Sequence, residues 1–153
     1  MTKTNGNGKL TYTTSNKAVA TVDAAGKVTV KGLGVAKITV KAAATTDYKA
    51  ASKTVTVTVA PKKQSISLVN KIKKQLTIKW KKNTKASGYQ VVYSTNKKFT
   101  GKKTVRKAKT TTSYKIKGLK KGKKYYVKVR SYKTVNGKRI YGAYSTAKKA
   151  TIK

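Results

Sequence analysis

Tyr125-Tyr126-Val127-Lys128-Val129-Arg130 alternates with a period of two. Tyr125, Val127 and Val129 fall on one side of an extended chain and Tyr126, Lys128 and Arg130 on the other. The segment therefore predicts a strand with one packed face and one face in water. The same period recurs on either side of it. Leu76, Ile78 and Trp80 alternate with Thr77, Lys79 and Lys81, and Tyr114 and Ile116 with Lys115 and Lys117. Residues 54–59 read Thr-Val three times over, with the valine face expected to pack. No stretch carries a helical stripe. Short Thr-, Val-, Ile- and Tyr-rich segments, broken by Gly and Asn at a spacing of roughly ten residues, predict an all-β chain of antiparallel sandwiches.

At Ala60-Pro61-Lys62-Lys63-Gln64 a threonine-valine strand stops, a proline blocks further ladder pairing and the charge density jumps. This predicts a first domain over residues 1–60, a linker at 61–64 and a second domain over 65–153. The linker is short, so the two small sandwiches are expected end to end. A chain of 153 residues can bury a core. Each half alone is near the lower size limit, which implies modest stability.

Charge is distributed unevenly between the halves. Nine of the thirty-nine lysines and arginines lie in residues 1–60, beside Asp23 and Asp47, the only acidic residues. The other thirty lie in residues 61–153, which contain no acidic residue at all. The halves are thus +7 and +30 within a formal net charge of +37, and the chain is a strongly basic partner for something anionic. Thirty-six of the cations are lysine and three are arginine. That ratio favours diffuse attraction between point charges over planar, bidentate recognition.

The same composition argues against catalysis. General acid and base work, metal ligation and activated nucleophiles draw on His, Cys, Asp and Glu, and the chain offers two aspartates in separate turn-like contexts. No enzyme activity, metal or other cofactor is expected. Without cysteine there is no disulfide and no thiolate. No apolar run approaches twenty residues and no basic-then-apolar leader begins at Met1, so neither a membrane span nor a secretion signal is expected. There is no Arg-Gly-Asp in the turn around Asn136-Gly137 and no phosphate-binding glycine loop.

Two family resemblances follow from specific segments. LTYTTSNKAVATVD at residues 10–23, followed by GKVTV at 26–30 and GLGVAKITV at 32–40, resembles a bacterial immunoglobulin-like group 2 domain over residues 5–60. Asp23-Ala24-Ala25-Gly26 would turn a hairpin between Val22 and Val28, and Gly32 and Gly34 would bend the chain into the next strand. The family usually has a further strand before the position of Lys9, so that strand is expected to be missing or supplied from elsewhere.

The second half is similar to a fibronectin type III domain over about residues 65–153. Trp80 stands at the family's core tryptophan, GYQVVY at 88–93 at its third strand, and LKKGKKY at 119–125 carries its tyrosine-corner spacing. Trp80 and Tyr125 are accordingly expected to be structural. The resemblances together imply two immunoglobulin-like sandwiches from a Gram-positive surface or secreted protein.

From charge and aromatic interleaving, the candidate polyanion contacts are Lys102, Lys103, Arg106, Lys107 and Lys109; Lys120, Lys121, Lys123 and Lys124; Lys128 and Arg130; and a hairpin rim of Lys133, Lys138, Arg139, Tyr132 and Tyr141. The expected partners are anionic polymers, namely teichoic acid, anionic glycans, or DNA or RNA. The expected role is a noncatalytic adhesion or spacer module outside a bacterial cell. The alternatives are a cationic nucleic-acid binder and a purely structural stalk. A monomer is expected, with strand exchange through an open sheet edge as the route to any assembly.

Overall fold

The computed structural model describes residues 6–153. Among them every regular element is a strand: β1 (Leu10–Thr14), β2 (Ala20–Val22), β3 (Val28–Val30), β4 (Gly34–Ala42), β5 (Ala51–Val59), β6 (Ile66–Val69), β7 (Leu76–Trp80), β8 (Gly88–Ser94), β9 (Lys103–Ala108), β10 (Ser113–Ile116), β11 (Lys124–Val135), β12 (Lys138–Tyr141) and β13 (Lys148–Thr151). All pairings are antiparallel. The chain divides into two units, Met1–Val59 and Ala60–Lys153.

In the first unit a three-stranded sheet, β1-β4-β5, faces the hairpin β2-β3. Asp23 builds the hairpin turn: its Oδ1 accepts from the backbone N–H groups of Ala25 and Lys27 at 3.0 and 2.8 Å. Gly26 then takes the left-handed φ of +80°. The core is small, with Val19, Ala20 and Ala36 buried and Val57 and Val59 packed on them. The valine face of residues 54–59 is only partly covered. Val55 lies opposite buried Ile38 yet remains 51 % exposed, as do Val28 and Val30 at 41 and 56 %. Alternation sets which face a residue is on, and cover needs another element over that face. The stretch before Lys9 in which a further strand is expected to be missing includes residues 1–5, which lie outside the described residues.

In the second unit the sheet β10-β7-β6 packs against a sheet ordered β12-β11-β8-β9, with β13 also paired to β11. Leu76, Ile78, Trp80, Tyr89, Val91, Val127 and Val129 form the shared core. These are the inward positions of the alternating segments, as their apolar character requires. Trp80 packs against Tyr89 with ring centres 5.3 Å apart. Tyr125 packs on the same core, and the backbone N–H of Lys120 points to its hydroxyl at a long 3.5 Å. Residues 61–64 belong to this unit. Pro61 and Gln64 are buried there, and Gln64 Nε2 donates to Ser131 Oγ at 3.2 Å.

Candidate functional site

Strand β11 determines what reaches the outer face of the five-stranded sheet. Val127, Val129 and Ser131 are fully buried on its inner side, so Lys128, Arg130 and Tyr132 emerge on the other. Register supplies their neighbours. Lys128 lies opposite Val92, Arg130 opposite Gln90 and Tyr132 opposite Gly88 on β8. One strand further, Arg106 of β9 lies opposite Gln90. On the other flank β12 places Tyr141 opposite Tyr132 and Arg139 opposite Thr134.

These side chains interleave cations and rings. Lys128 Nζ sits 4.0 Å from the centre of the Phe99 ring and 4.5 Å from that of Tyr144. The Arg130 guanidinium follows, 4.3 Å from Tyr144 and 3.8 Å from Tyr141. Tyr141 meets Tyr132 at 5.6 Å, and Arg139 lies 5.5 Å over Tyr132. Each such contact contributes about 0.5–1 kcal/mol where water reaches it and more where it does not. Beneath the row, Gln90 is nearly buried. Its Oε1 accepts from Arg130 Nε at 2.6 Å and from the Tyr144 hydroxyl at 3.0 Å, which fixes the guanidinium plane between the two rings.

Two irregular segments complete the row. In the turn after β8, Ser94 Oγ donates to the Thr100 carbonyl and accepts from Asn96 N–H. Phe99 is held there at φ +61°, a conformation that few bulky residues adopt. After β12 the chain leaves regular pairing at Gly142, whose N–H still donates to the Ser131 carbonyl. Ser145 then clamps β11 twice, its N–H donating to Val129 O at 2.7 Å and its Oγ accepting from Val129 N–H at 3.0 Å. The intervening Tyr144 is thereby laid across Lys128 and Arg130. Gly88 leaves room for the aromatic end of the row: a Cβ there would come within 2.6 Å of the Tyr132 hydroxyl.

The sequence-predicted contacts separate into groups. Lys128, Arg130, Tyr132, Arg139, Tyr141 and Arg106 share the outer face by register, and Lys124 has the same parity at the far end of β11. The expected hairpin rim is split. Lys133 pairs with Ile140 and Val135 with Lys138, which puts Lys133 and Lys138 on the opposite face from Tyr132, Arg139 and Tyr141. Lys103 and Lys107 likewise pair with Tyr93 and Tyr89 on the inward parity, and Lys107 Nζ covers the Tyr114 ring at 4.2 Å. Lys102 and Lys109 flank β9. Lys120, Lys121 and Lys123 surround the turn at Gly122, whose N–H donates to the Ile152 carbonyl. Phe99, Tyr144 and Gln90 belong to the row without having been singled out from sequence. The parity of the arginines would have pointed to it.

None of the described lysines or arginines is buried, and only Lys107, Lys128, Arg130 and Lys133 are half-buried. Opposite the row, burial followed by the neighbouring Tyr114 and Tyr125 phenols pushes the Tyr93 phenol above its ordinary value of 10.0. Among the described residues no group of three or more His, Cys, Asp or Glu is placed to hold a metal, and no helix is long and apolar enough to cross a membrane.

Comparison with known proteins accords with this geometry. The fibronectin type III domain model matches residues 59–146, and the immunoglobulin-like domain model of intimin matches residues 2–45. A two-domain fibronectin type III segment of chicken tenascin is 17 % identical at a TM-score of 0.60, covering 93 % of this chain and 82 % of that one. The sixth fibronectin type III domain of human fibronectin type III domain containing protein 3 is 16 % identical at 0.51, over 63 and 89 %. The FN1–FN3 domains of chicken CNTN1 are 18 % identical at 0.54. This chain covers 83 % of itself in that match and spans about half, 47 %, of the other. At these identities the likeness is one of fold. No curated protein matches the chain.

Proposed function

The chain belongs to the fibronectin type III family, with an intimin-type immunoglobulin-like domain ahead of the type III domain, and from that premise we propose an electrostatic adhesion module of a bacterial extracellular or wall-associated protein. Such domains are typically noncatalytic adhesion or spacer units of extracellular or surface proteins. The first unit spaces. The second holds to teichoic acid or anionic glycan.

One observation carries the proposal. Residues 61–153 fold as a compact sandwich with a full apolar core yet hold thirty cations and no acidic side chain. Like charges of this number repel, and the usual remedy is an interspersed carboxylate. A folded domain without that remedy is suited to an external polyanion that supplies the missing negative charge. At physiological ionic strength the screening length is about 8 Å, so the lysines act on a partner at or near contact.

The test is binding to isolated Gram-positive wall carrying teichoic acid at about 150 mM salt, with duplex DNA and heparin as competitors of matched charge. Saturable binding with preference for wall supports the adhesion module. Equal displacement by every polyanion makes the charge unselective. The absence of saturable binding leaves only a structural stalk.

A further inference from the structure

The chain has thirty-six lysines and three arginines, Arg106, Arg130 and Arg139, and all three arginines emerge on the same face of the same sheet. Arg106 and Arg130 lie on either side of Gln90, one on β9 and the other on β11. Arg139 lies on the adjoining β12, with its guanidinium over Tyr132. Lysine serves everywhere else in the chain. A residue type so restricted in number and so uniform in placement marks a task that an ammonium does not perform.

Stacking explains only part of the pattern. Arg130 is held between Tyr141 and Tyr144 and Arg139 lies over Tyr132, and both suit a planar cation. Arg106 is exposed on an edge strand, where a solubilising lysine would serve equally well. What distinguishes arginine at such a place is its rigid fork of donors, which matches a pair of acceptor oxygens. Two strand spacings separate the backbones of Arg106 and Arg130, roughly 10 Å, a separation suited to successive groups along one polymer.

We propose that this arginine-bearing outer face is a selective site for a polysaccharide carrying carboxylate groups. The proposal rests on the polyanion-binding reading above and names the face and the chemistry. Rings and cations discriminate among the anionic polymers. Phe99, Tyr132, Tyr141 and Tyr144 each already have a cation over the ring, so they are poor platforms for stacked nucleobases, which need open aromatic faces. The fork also matches the paired oxygens of a phosphodiester, but a flexible phosphate polymer is already served by point charges, which lysine supplies all over the molecule. A hydroxyl-rich chain with planar carboxylates can use both the tyrosine hydroxyl edges and the guanidinium forks of this face.

The test compares the protein with the double variant Arg106→Lys, Arg139→Lys, which keeps the net charge and spares Arg130, whose bond to Gln90 supports the fold. The probes are polygalacturonate, poly(glycerol phosphate) and duplex DNA at matched salt. The expected result is a loss of about tenfold or more on polygalacturonate, with the other two held within about twofold because their attraction is set by charge. The single Arg106→Lys, at an exposed edge position, gives part of the same loss and keeps the test decisive if the double variant misfolds. A control, Lys120→Ala with Lys121→Ala, lowers all three affinities together. Equal losses on all probes, no loss on polygalacturonate, or a loss confined to poly(glycerol phosphate) would overturn the arginine-face proposal while leaving general polyanion binding intact. If the unsubstituted protein binds none of the three saturably, both fail.

Discussion

The guanidinium of Arg130 lies 3.8 Å from the centre of the Tyr141 ring, on the outer face of a sheet whose inner face is the core of the second unit. With Tyr144 on its other flank and Gln90 accepting from its Nε, it is the keystone of a row running from Phe99 to Arg139. A cation in water is normally free. This one is fixed on three sides.

Arg130→Ala should therefore destabilise the second unit although it removes one charge from an overcharged domain. The losses are two cation–ring contacts and a charge-assisted hydrogen bond, and Gln90 keeps only the Tyr144 hydroxyl. We expect about 2–3 kcal/mol, read as a fall in denaturant midpoint at unchanged slope. Lys124→Ala, exposed in the same strand, should be neutral or slightly stabilising. Equal effects of the two substitutions would remove the structural role of the row.

Alternation made much of this legible in the sequence. It gave β7, β10 and β11, their inward residues, and the outward parity of Lys128 and Arg130. What it could not give was cover. Val55 has the parity of a core residue, opposite buried Ile38, yet among the described residues it is left half exposed. Phe99 and Tyr144 sit outside regular strands, in segments positioned by the side chains of Ser94, Asn96 and Ser145. No period reports such bonds. The hairpin rim failed for a related reason: proximity in sequence put Lys133 and Lys138 beside Tyr132 and Arg139, and the pleat sent them to the other face.

The pH dependence of stability should carry the mark of Tyr93. Its phenol is raised above 10.0 in the fold, first by burial and then by Tyr114 and Tyr125, so the folded state holds the proton more tightly than the unfolded chain. The resulting stability is fully present below about pH 10 and is lost as pH rises through the higher folded value. Other effects of alkaline pH act on the parent protein and the variant alike. The comparison must therefore be between slopes. Tyr93→Phe should flatten the alkaline fall in denaturation midpoint relative to the parent protein, and parallel slopes would show that Tyr93 is not its source.

Added salt should raise the melting temperature. With thirty cations and no carboxylate side chain in residues 61–153, screening relieves repulsion without an internal ion pair between side chains there to weaken. Sodium chloride raised from about 10 to 150 mM shortens the Debye length from about 30 to 8 Å. A flat or falling melting temperature over that range, followed by calorimetry, would count against an uncompensated cationic surface.

Two glycines near the end of the aromatic row should respond differently to the same added methyl group. Gly137 turns the β11–β12 hairpin at φ +74°, after Asn136 at +48°, with no atom near the site of a Cβ. This is the pair of left-handed residues that a two-residue turn of this type demands. Gly137→Ala should cost only the conformational penalty, about 1–2 kcal/mol. Gly142 is buried, and a Cβ there would run into the backbone carbonyl of Pro61, which has no flexible end to swing away. Gly142→Ala should cost more, and it should also disturb the segment that carries Tyr144, between the Gly142 and Ser145 anchors on β11. Both variants can be read by thermal denaturation, with near-ultraviolet circular dichroism reporting the tyrosines. The expected order is a small loss and an unchanged tyrosine signal for Gly137→Ala, against a larger loss and an altered signal for Gly142→Ala. The reverse order would mean that the close approach of Pro61 does not fix the course of the chain through Tyr144.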